Sequence, residues 1–209
     1  DSTKTLDVDG GTIKLDGNYP TGLNNVALGN GALDAALTGG SNTGLGSNSL
    51  SANTSGAQNT AIGNASLLLN QTGTANTAVG DDALIINVSG SYNVAVGADS
   101  LYNTTASNNT AVGQGSGRYN TTGTENVMVG VAALEDNTTG NYNAALGSEA
   151  LTNNTTGSFN TAVGRQSLYV NTTANSNTGI GYKALFANTT GFSNTTVGTN
   201  SLDANTTGS

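Results

Sequence analysis

Hydrophobic and polar positions recur along this chain with a period of 17 residues, from residue 25 to the last residue. The units follow the consensus NTAVGxxALxxNTTGxx, with Val, Ile or Leu directly before the first glycine and Leu four residues after it, failing only at Gly117. Eleven copies fill residues 25 to 209, and one contraction by a single residue separates Gly97 from Gly113. Because such units pack against one another, the repeat decides how every local pattern is interpreted.

Charged residues divide the columns of the repeat into two classes. They occur only at variable positions, as at Asp81, Glu135 and Arg165, and never in an invariant column. Since an unpaired buried charge is very costly, we expect the invariant columns to be buried or stacked, turned away from solvent. Members of these predicted structural ladders are Asn59, Asn76, Asn93, Asn126, Asn160, Val79, Val96, Val163, Gly63, Gly80, Gly164, Leu67, Leu84, Leu151 and Leu168.

The period predicts an all-β fold, a parallel β-solenoid with 17-residue coils. A helical-hairpin repeat needs about 33 residues or more, and Asn, Gly, Thr and Val disfavour helix. In each coil we expect TAV to form a short strand, Gly to turn the corner, AL to begin a second short strand and NTTG to return the chain. Coils stacked about 4.8 Å apart give a rod roughly 50 Å long, in which each column is a ladder of like side chains.

The chain divides into two parts. Residues 1 to 24 alternate Leu6, Val8, Ile13 and Leu15 around an Asp-Gly-Gly turn, which predicts a capping hairpin or two short strands. Residues 25 to 209 form the predicted eleven-coil shaft. The chain stops inside a repeat, so we expect it to be a segment of something longer.

Sparse apolar burial predicts association of several chains around a fibre axis. Only 35% of residues are hydrophobic, and each coil offers one large aliphatic residue before the glycine and one Leu. A second apolar surface, between chains, would supply the apolar burial that one chain lacks. Small columns would let neighbouring backbones approach closely; they include Ala61, Ala78, Ala111, Ala162, Ser66, Ser100, Ala133 and Ser167.

Composition removes several classes of function. Five scattered Lys and Arg against 13 Asp and Glu disfavour nucleic acid as a partner, and no apolar run is long enough to insert this segment in a membrane. Without His or Cys the usual catalytic bases, thiol nucleophiles and transition-metal sites are missing, so we expect no enzyme and no cofactor. The GQGSG stretch at residues 113 to 117 lacks the setting of a nucleophile elbow, and we interpret Asp81-Asp82 and Glu135-Asp136 as solvated charges.

A second asparagine column creates glycosylation sequons, which leaves two interpretations open. The column is either an internal asparagine ladder or, in a host that glycosylates, the sugar-bearing face of a fibril. Its members are Asn53, Asn70, Asn87, Asn103, Asn120, Asn137, Asn154, Asn171, Asn188 and Asn205. Aromatic residues in variable columns, such as Tyr142 and Phe159, are likewise either outward platforms for sugars, or side chains that shield loops or fill grooves between chains.

The half-unit NTAVGxxSL, as in residues 160 to 168, resembles the repeat in the head domains of trimeric autotransporter adhesins. The full NTAVGxxALxxNTTG unit and the lead-in at residues 10 to 29 are similar to the shafts of bacterial and phage tail-fibre-domain proteins. The resemblance to the adhesin heads implies a left-handed β-roll, a homotrimer and attachment to surfaces or host ligands. The adhesin units are a few residues shorter, and a coiled-coil stalk, membrane anchor and chaperone domain are absent from these residues, so no ligand site carries over.

The sequence therefore predicts a structural or adhesive segment of an extracellular trimeric fibre, at a cell surface or on a virion. Its expected partners are further copies of itself, as a homotrimer or longer filament, and a cell-surface glycan or receptor. The alternative is a monomeric β-solenoid that binds carbohydrate or ice through a flat face. The adjacent threonines of NTTG argue against ice, because flat ice-binding faces place threonines two residues apart on a strand.

Overall fold

The computed structural model describes residues 24–35 and 38–209. Over this range the protein is an all-β parallel solenoid with repeats of about 17 residues, and it contains no helix. The predicted hairpin in residues 1 to 24 lies outside the described residues, apart from Asn24. We number the coils 1 to 11 by their first residues: Asn25, Asn42, Asn59, Asn76, Asn93, Asn109, Asn126, Asn143, Asn160, Asn177 and Asn194.

Each coil contributes one three-residue strand to a single parallel sheet of eleven strands in sequence order. Partners lie one period apart, so that Ile62 pairs with Val79 and Val79 with Val96. Across the contraction the register is kept, since Val94 pairs with Thr110. The strands are β1 Val26–Leu28, β2 Thr43–Leu45, β3 Thr60–Ile62, β4 Thr77–Val79, β5 Val94–Val96, β6 Thr110–Val112, β7 Val127–Val129, β8 Ala144–Leu146, β9 Thr161–Val163, β10 Thr178–Ile180 and β11 Thr195–Val197.

The glycine after each strand turns the corner of the coil. These eleven glycines have φ between 122° and 142°, a region that residues with a Cβ rarely adopt. Space is equally restrictive, because a Cβ on Gly80 would lie 2.6 Å from the carbonyl carbon of Gly97 in the next coil. The invariance of this column therefore follows from backbone angle and from the close stacking of coils.

The predicted second strand beginning at AL is wrong. This segment is a turn in every described coil, and its leucine is left-handed, with φ between 48° and 54° from Leu33 to Leu202. That conformation costs an L-residue about 1–2 kcal/mol. Full burial of a leucine side chain returns about 1.5–3 kcal/mol, and every column leucine from Leu33 to Leu185 is completely buried. Burial offsets the strain, and the bent backbone aims the leucine into the coil.

The interior of a coil is thin and half polar. In coil 4 it consists of Asn76, Ala78, Ala83, Leu84 and Asn87, all fully buried. The small columns predicted to lie between chains thus lie inside one chain. Ala61, Ala78, Ala111 and Ala162 are the inward-facing middle residues of their strands, and Ser66, Ser100, Ala133 and Ser167 are also buried. They are small because the strand and the leucine turn are too close for larger side chains.

Coil 6 breaks the leucine column, and coil 7 compensates for it. Gly117 stands where the other coils have leucine, and Met128 stands where most strands have alanine. A Cβ on Gly117 would collide with the Sδ of Met128 and lie 3.0 Å from Cδ2 of Leu101. The long methionine therefore fills the volume that a leucine would occupy.

We expect Gly117→Leu and Met128→Ala each to destabilise the rod, and the double variant to recover most of the loss. The leucine overpacks the interior by about 1–3 kcal/mol, whereas the alanine opens a cavity that costs about 2–5 kcal/mol. Together they recreate the consensus pair of the other coils. Urea unfolding of the four proteins measures the coupling free energy.

Strict additivity of the two single effects would show that Met128 does not fill the space above Gly117. Ala145→Met, which adds a methionine beside an intact leucine column, is the matched control and should destabilise without rescue.

Candidate functional site

The first asparagine of each coil forms a buried ladder that ties coils together. Asn42 through Asn177 in this column have between 0% and 1% of their surface exposed. Each side-chain Oδ1 accepts the backbone N–H of the asparagine in the next coil, at 3.0 Å from Asn59 to Asn42 and 3.0 Å from Asn76 to Asn59. The amide thus substitutes for a strand carbonyl just before the strand begins.

The second asparagine column forms a parallel ladder. Nδ2 of Asn70 donates to Oδ1 of Asn53 at 2.8 Å, and Nδ2 of Asn154 donates to Oδ1 of Asn137 at 3.0 Å. The two ladders meet at the carbonyl of the NTTG glycine. Gly56 O accepts Nδ2 of Asn42 and Nδ2 of Asn53, both at 2.9 Å. One carbonyl per coil therefore satisfies two buried amides, as buried polar groups require.

Hydroxyl groups of the NTT turn add hydrogen bonds between coils that the sequence pattern did not predict. The first threonine donates its hydroxyl to a carbonyl of the next coil, at 2.9 Å from Thr138 to Thr155 and 3.1 Å from Thr155 to Thr172. After the glycine, a short polar side chain accepts a backbone N–H of the preceding coil, as Ser91 Oγ does from Thr74 at 3.0 Å. These positions could be predicted only once the coil-to-coil register was known.

The assignment of Asn103 to the second asparagine column is wrong. Thr104 lies in that column, fully buried, and accepts Nδ2 of Asn120 at 3.0 Å, whereas Asn103 is half-buried beside it. The contraction lies after Thr104, where the turn to Asn109 is one residue shorter than elsewhere. Because Thr104 has no side-chain amide, Oδ1 of Asn87 lacks the donor that a regular coil provides. It is the one buried side-chain polar atom without a partner in residues 24–35 and 38–209.

The structure favours the ladder interpretation of the sequons over glycosylation. A glycan needs a free Nδ2 at the surface, but eight of these side chains are fully buried: Asn53, Asn70, Asn87, Asn120, Asn137, Asn154, Asn171 and Asn188. In coil 9, Nδ2 of Asn171 donates to Asn154 and to Ala174 O, at 2.9 and 3.1 Å. Sugar on these nitrogens is incompatible with stacked coils. Asn103 and Asn205 are the two candidates that are not fully buried.

The column directly before the corner glycine lies on the outside of the rod. Because side chains alternate along a strand, the buried middle residue leaves its two neighbours facing out. Val79, Val96 and Val163 are half-buried, and exposure elsewhere in the column ranges from 36% at Val112 to 70% at Val197. The prediction that all uncharged columns turn away from solvent is therefore wrong for this one.

The resulting surface, which we call the outer face, consists of the first and third residues of β1 to β11. The third residues are all Val, Ile or Leu, and the first are Thr, Val or Ala. No charged residue lies in any of the eleven strands, although the chain has a net charge of −8. The outer face is an uncharged strip along the length of the described rod.

Aromatic side chains stack between successive coils. The rings of Tyr142 and Phe159 are parallel within 9° with centroids 5.0 Å apart, and those of Tyr169 and Phe186 within 3° at 5.4 Å. Each pair thus covers one face of each ring. This geometry favours a role in joining coils over open sugar platforms, although Tyr142 and Phe159 remain 49% and 59% exposed.

Charged side chains at variable positions also link neighbouring coils. Arg118 lies 3.6 Å from the Asp99 carboxylate, and Arg165 lies 3.5 Å from Glu149. The Arg118 guanidinium is also 5.6 Å from the ring centroid of Tyr119, within cation–π range. Such exposed pairs contribute about 0–1 kcal/mol each, so they adjust the stacking rather than maintain it.

Two acidic pairs have carboxyls with raised pKa values. Burial raises the pKa of Glu135 above its ordinary 4.5, Asp136 raises it further and Arg118 opposes them. Burial also raises the pKa of Asp136 above 3.8. For Asp82, burial and then the charges of Asp81 and Asp99 raise the pKa.

No arrangement typical of a catalytic or metal centre occurs in the part of the chain that the structure describes. Ser116 of GQGSG is fully buried and donates its hydroxyl to Gly113 O at 2.8 Å, which leaves it inaccessible as a nucleophile. No group of three or more acidic side chains is placed to hold a metal ion in residues 24–35 and 38–209. Within those same ranges, no helix of membrane-spanning length and hydrophobicity was found.

We expect Asn154→Ala to destabilise the rod by about 2–4 kcal/mol. The change leaves the buried Oδ1 of Asn137 without a partner and removes one of the two acceptors of Nδ2 of Asn171, which keeps only Ala174 O. A buried polar atom without a partner costs its full desolvation penalty. Asn153→Ala is the matched control, because the adjacent Asn153 is half-buried and its Nδ2 makes one contact, with Tyr169 O. Chemical denaturation should show a larger loss of unfolding free energy for Asn154→Ala than for Asn153→Ala. Equal losses in the two variants would contradict the asparagine ladder.

Stability should decrease as pH rises through the acidic range. A raised pKa means that folded Glu135 and Asp136 retain protons to higher pH than in the unfolded chain, so their contribution is fully present below the unfolded values of about 4.5 and 3.8 and is lost above the folded ones. Thermal melts from about pH 4 to about pH 7 measure the slope with which the melting temperature falls as pH rises. The Glu135→Gln, Asp136→Asn double variant should flatten it, and an unchanged slope would exclude these two groups as its source.

No family model, curated protein or solved structure matches the chain. Its function must therefore be inferred from the geometry of the coils and of the outer face.

Proposed function

We propose that the chain is a structural and adhesive segment of an extracellular fibre in which three copies wind about one axis. The observation that carries the proposal is the outer face: an aliphatic column in every strand, exposed to solvent in a chain with a thin, half-polar interior. Eleven rungs at about 4.8 Å and two outward columns about 7 Å apart make a strip of roughly 370 Å². Its aliphatic column runs through all eleven strands beside a column that is mostly threonine, and an exposed apolar patch of a few hundred Å² is often functional.

A second and a third copy of the same chain are the occupants that best fit this strip. Identical copies have the same rung spacing, so their aliphatic columns can interdigitate along the whole rod. Each strand offers two outward columns, and around a threefold axis each column can face a different neighbour. Charges are confined to the other sides of each coil, which keeps like charges of neighbouring chains away from the contact.

The fibre role follows from shape and from the resemblance to tail-fibre shafts and adhesin heads. A rod held by coil-to-coil hydrogen bonds is suited to spacing or displaying a binding element at a cell surface or on a virion. The resemblance to adhesin heads also suggests a left-handed winding and attachment to a surface glycan or receptor. The buried asparagine ladders and the buried Ser116 are consistent with a mechanical rather than a catalytic role.

We expect lysines on the outer face to separate the chains without unfolding them. The triple variant Ile62→Lys, Val129→Lys, Leu146→Lys places charges at exposed aliphatic positions, where a monomer can tolerate them but an interface cannot. Analytical ultracentrifugation should change from three times the 20.6 kDa chain to a single chain.

The matched control places lysines two residues later in the same coils, at Asn64, Val131 and Ser148. This neighbouring column already holds Asp81 and Arg165, so the control variant should remain trimeric. A native protein that sediments as one chain would contradict the proposal and favour the monomeric binding solenoid. Loss of the trimer in both variants would mean that charge alone, not the outer face, controls assembly.

A further inference from the structure

Three ladders of the rod are interrupted within the same short interval. In the second asparagine ladder, Thr104 replaces asparagine and leaves Oδ1 of Asn87 buried without a donor. In the leucine column Gly117 replaces leucine, and in the strand column Met128 replaces a small residue. We call residues 87 to 128 the irregular interval; it extends from the end of coil 4 to the strand of coil 7.

The asparagine break removes a coil-to-coil bond that the regular coils have. Elsewhere Nδ2 of one coil donates to Oδ1 of the coil before it, as from Asn87 to Asn70 at 3.1 Å and from Asn137 to Asn120. The Thr104 hydroxyl accepts from Asn120 but is too short to replace the amide that would reach Asn87. A buried acceptor without a partner costs most in a site that excludes water, and opening of the coils lets water satisfy it.

The leucine break weakens the same interval through a missing side chain. Gly113, Gly115 and Gly117 give coil 6 three glycines with positive φ within five residues. Gly113 is the corner glycine that every coil has, and Gly115 and Gly117 adopt positive φ without strain. The weakness lies instead in the side chain: Gly117 buries nothing where the other coils, from Leu33 to Leu185, bury a leucine. Met128 restores the lost volume, but a flexible thioether holds it less firmly than a column of identical leucines.

We propose that the irregular interval is an internal yield point, where the rod opens before its regular coils do. In a solenoid each coil contacts only its neighbours, so stability is a sum of local terms and the weakest junction opens first. Coils 1 to 3 and 8 to 11 then behave as two stiff blocks joined by a segment that can bend or extend under heat or load. The inference does not depend on the number of chains, because identical parallel chains would place the interval at one level of the fibre.

One backbone amide per coil reports on each junction with the same geometry. The column leucine donates its N–H to the next coil. The two bonds that join coil 5 to its neighbours are 3.0 Å from Leu84 to Ser100 and 3.0 Å from Leu101 to Ser116. The corresponding bonds in regular coils are Leu67 to Ala83 at 3.0 Å and Leu151 to Ser167 at 3.0 Å. Because the bonds are alike, differences in hydrogen exchange reflect the free energy of opening each junction.

Hydrogen–deuterium exchange of the native protein, in its native assembly, tests the proposal. We expect the Leu84 and Leu101 amides to exchange at least about tenfold faster than those of Leu67 and Leu151. Thr104→Asn supplies the missing donor and should slow exchange at Leu84 toward the rate of Leu67. Equal protection of all four amides in the native protein would overturn the proposal.

Interrupting the asparagine ladder in a regular part of the rod makes the test independent of whether Thr104→Asn folds well. Asn171→Thr removes the donor to Oδ1 of Asn154 in a regular part of the rod, and should accelerate exchange at Leu151 without affecting Leu67. Failure of Asn171→Thr to raise exchange at Leu151 would show that an interrupted asparagine ladder does not weaken a junction, and would also overturn the inference.

Discussion

Stacking of buried asparagine amides in register is the interaction on which this structure depends. A primary amide inside a protein is tolerable only when its donors and its acceptor all find partners, and in this rod those partners lie in the adjacent coil or at the shared glycine carbonyl. A slip of one residue between coils would leave two amides per coil unsatisfied. The 17-residue period is therefore strongly constrained, and the one contraction, in coil 5, occurs in a turn between ladders, leaving the strand register intact.

The same requirement explains why so much of the backbone is left-handed. The coil must bend sharply to bring the strand, the leucine turn and the asparagine turn around a narrow interior. Complete burial of the column leucines, from Leu33 to Leu185, offsets the strain of their positive φ. The narrowness also decides which side chains remain outside. With leucine, two small residues and two asparagines inside, no space remains for the aliphatic residue before the glycine, which produces the outer face and with it the proposed contact between chains.

Irregular positions follow the same physical rules as regular ones. Met128 fills the space that Gly117 leaves empty, so the interior stays packed where the leucine column is interrupted. Thr104 has no such compensation, and the unpartnered oxygen of Asn87 marks the place where the ladder principle is not satisfied. Nearly all coils have the same residue type at equivalent positions. A coil that departs from the pattern therefore indicates where a functional or mechanical requirement differs.

The sequence by itself determined the period, the β-solenoid, the strand in each coil and the invariant corner glycine, because identical stacked units leave their spacing in the order of residues. Only the tertiary structure decided which uncharged column lies inside. Absence of charge cannot distinguish a buried ladder from an outward strip that another molecule covers, so Val79 and Leu84 looked alike in the sequence. Likewise, the letters NTT placed Asn103 in a ladder that Thr104 occupies, since only the hydrogen-bond register shows where a residue was deleted.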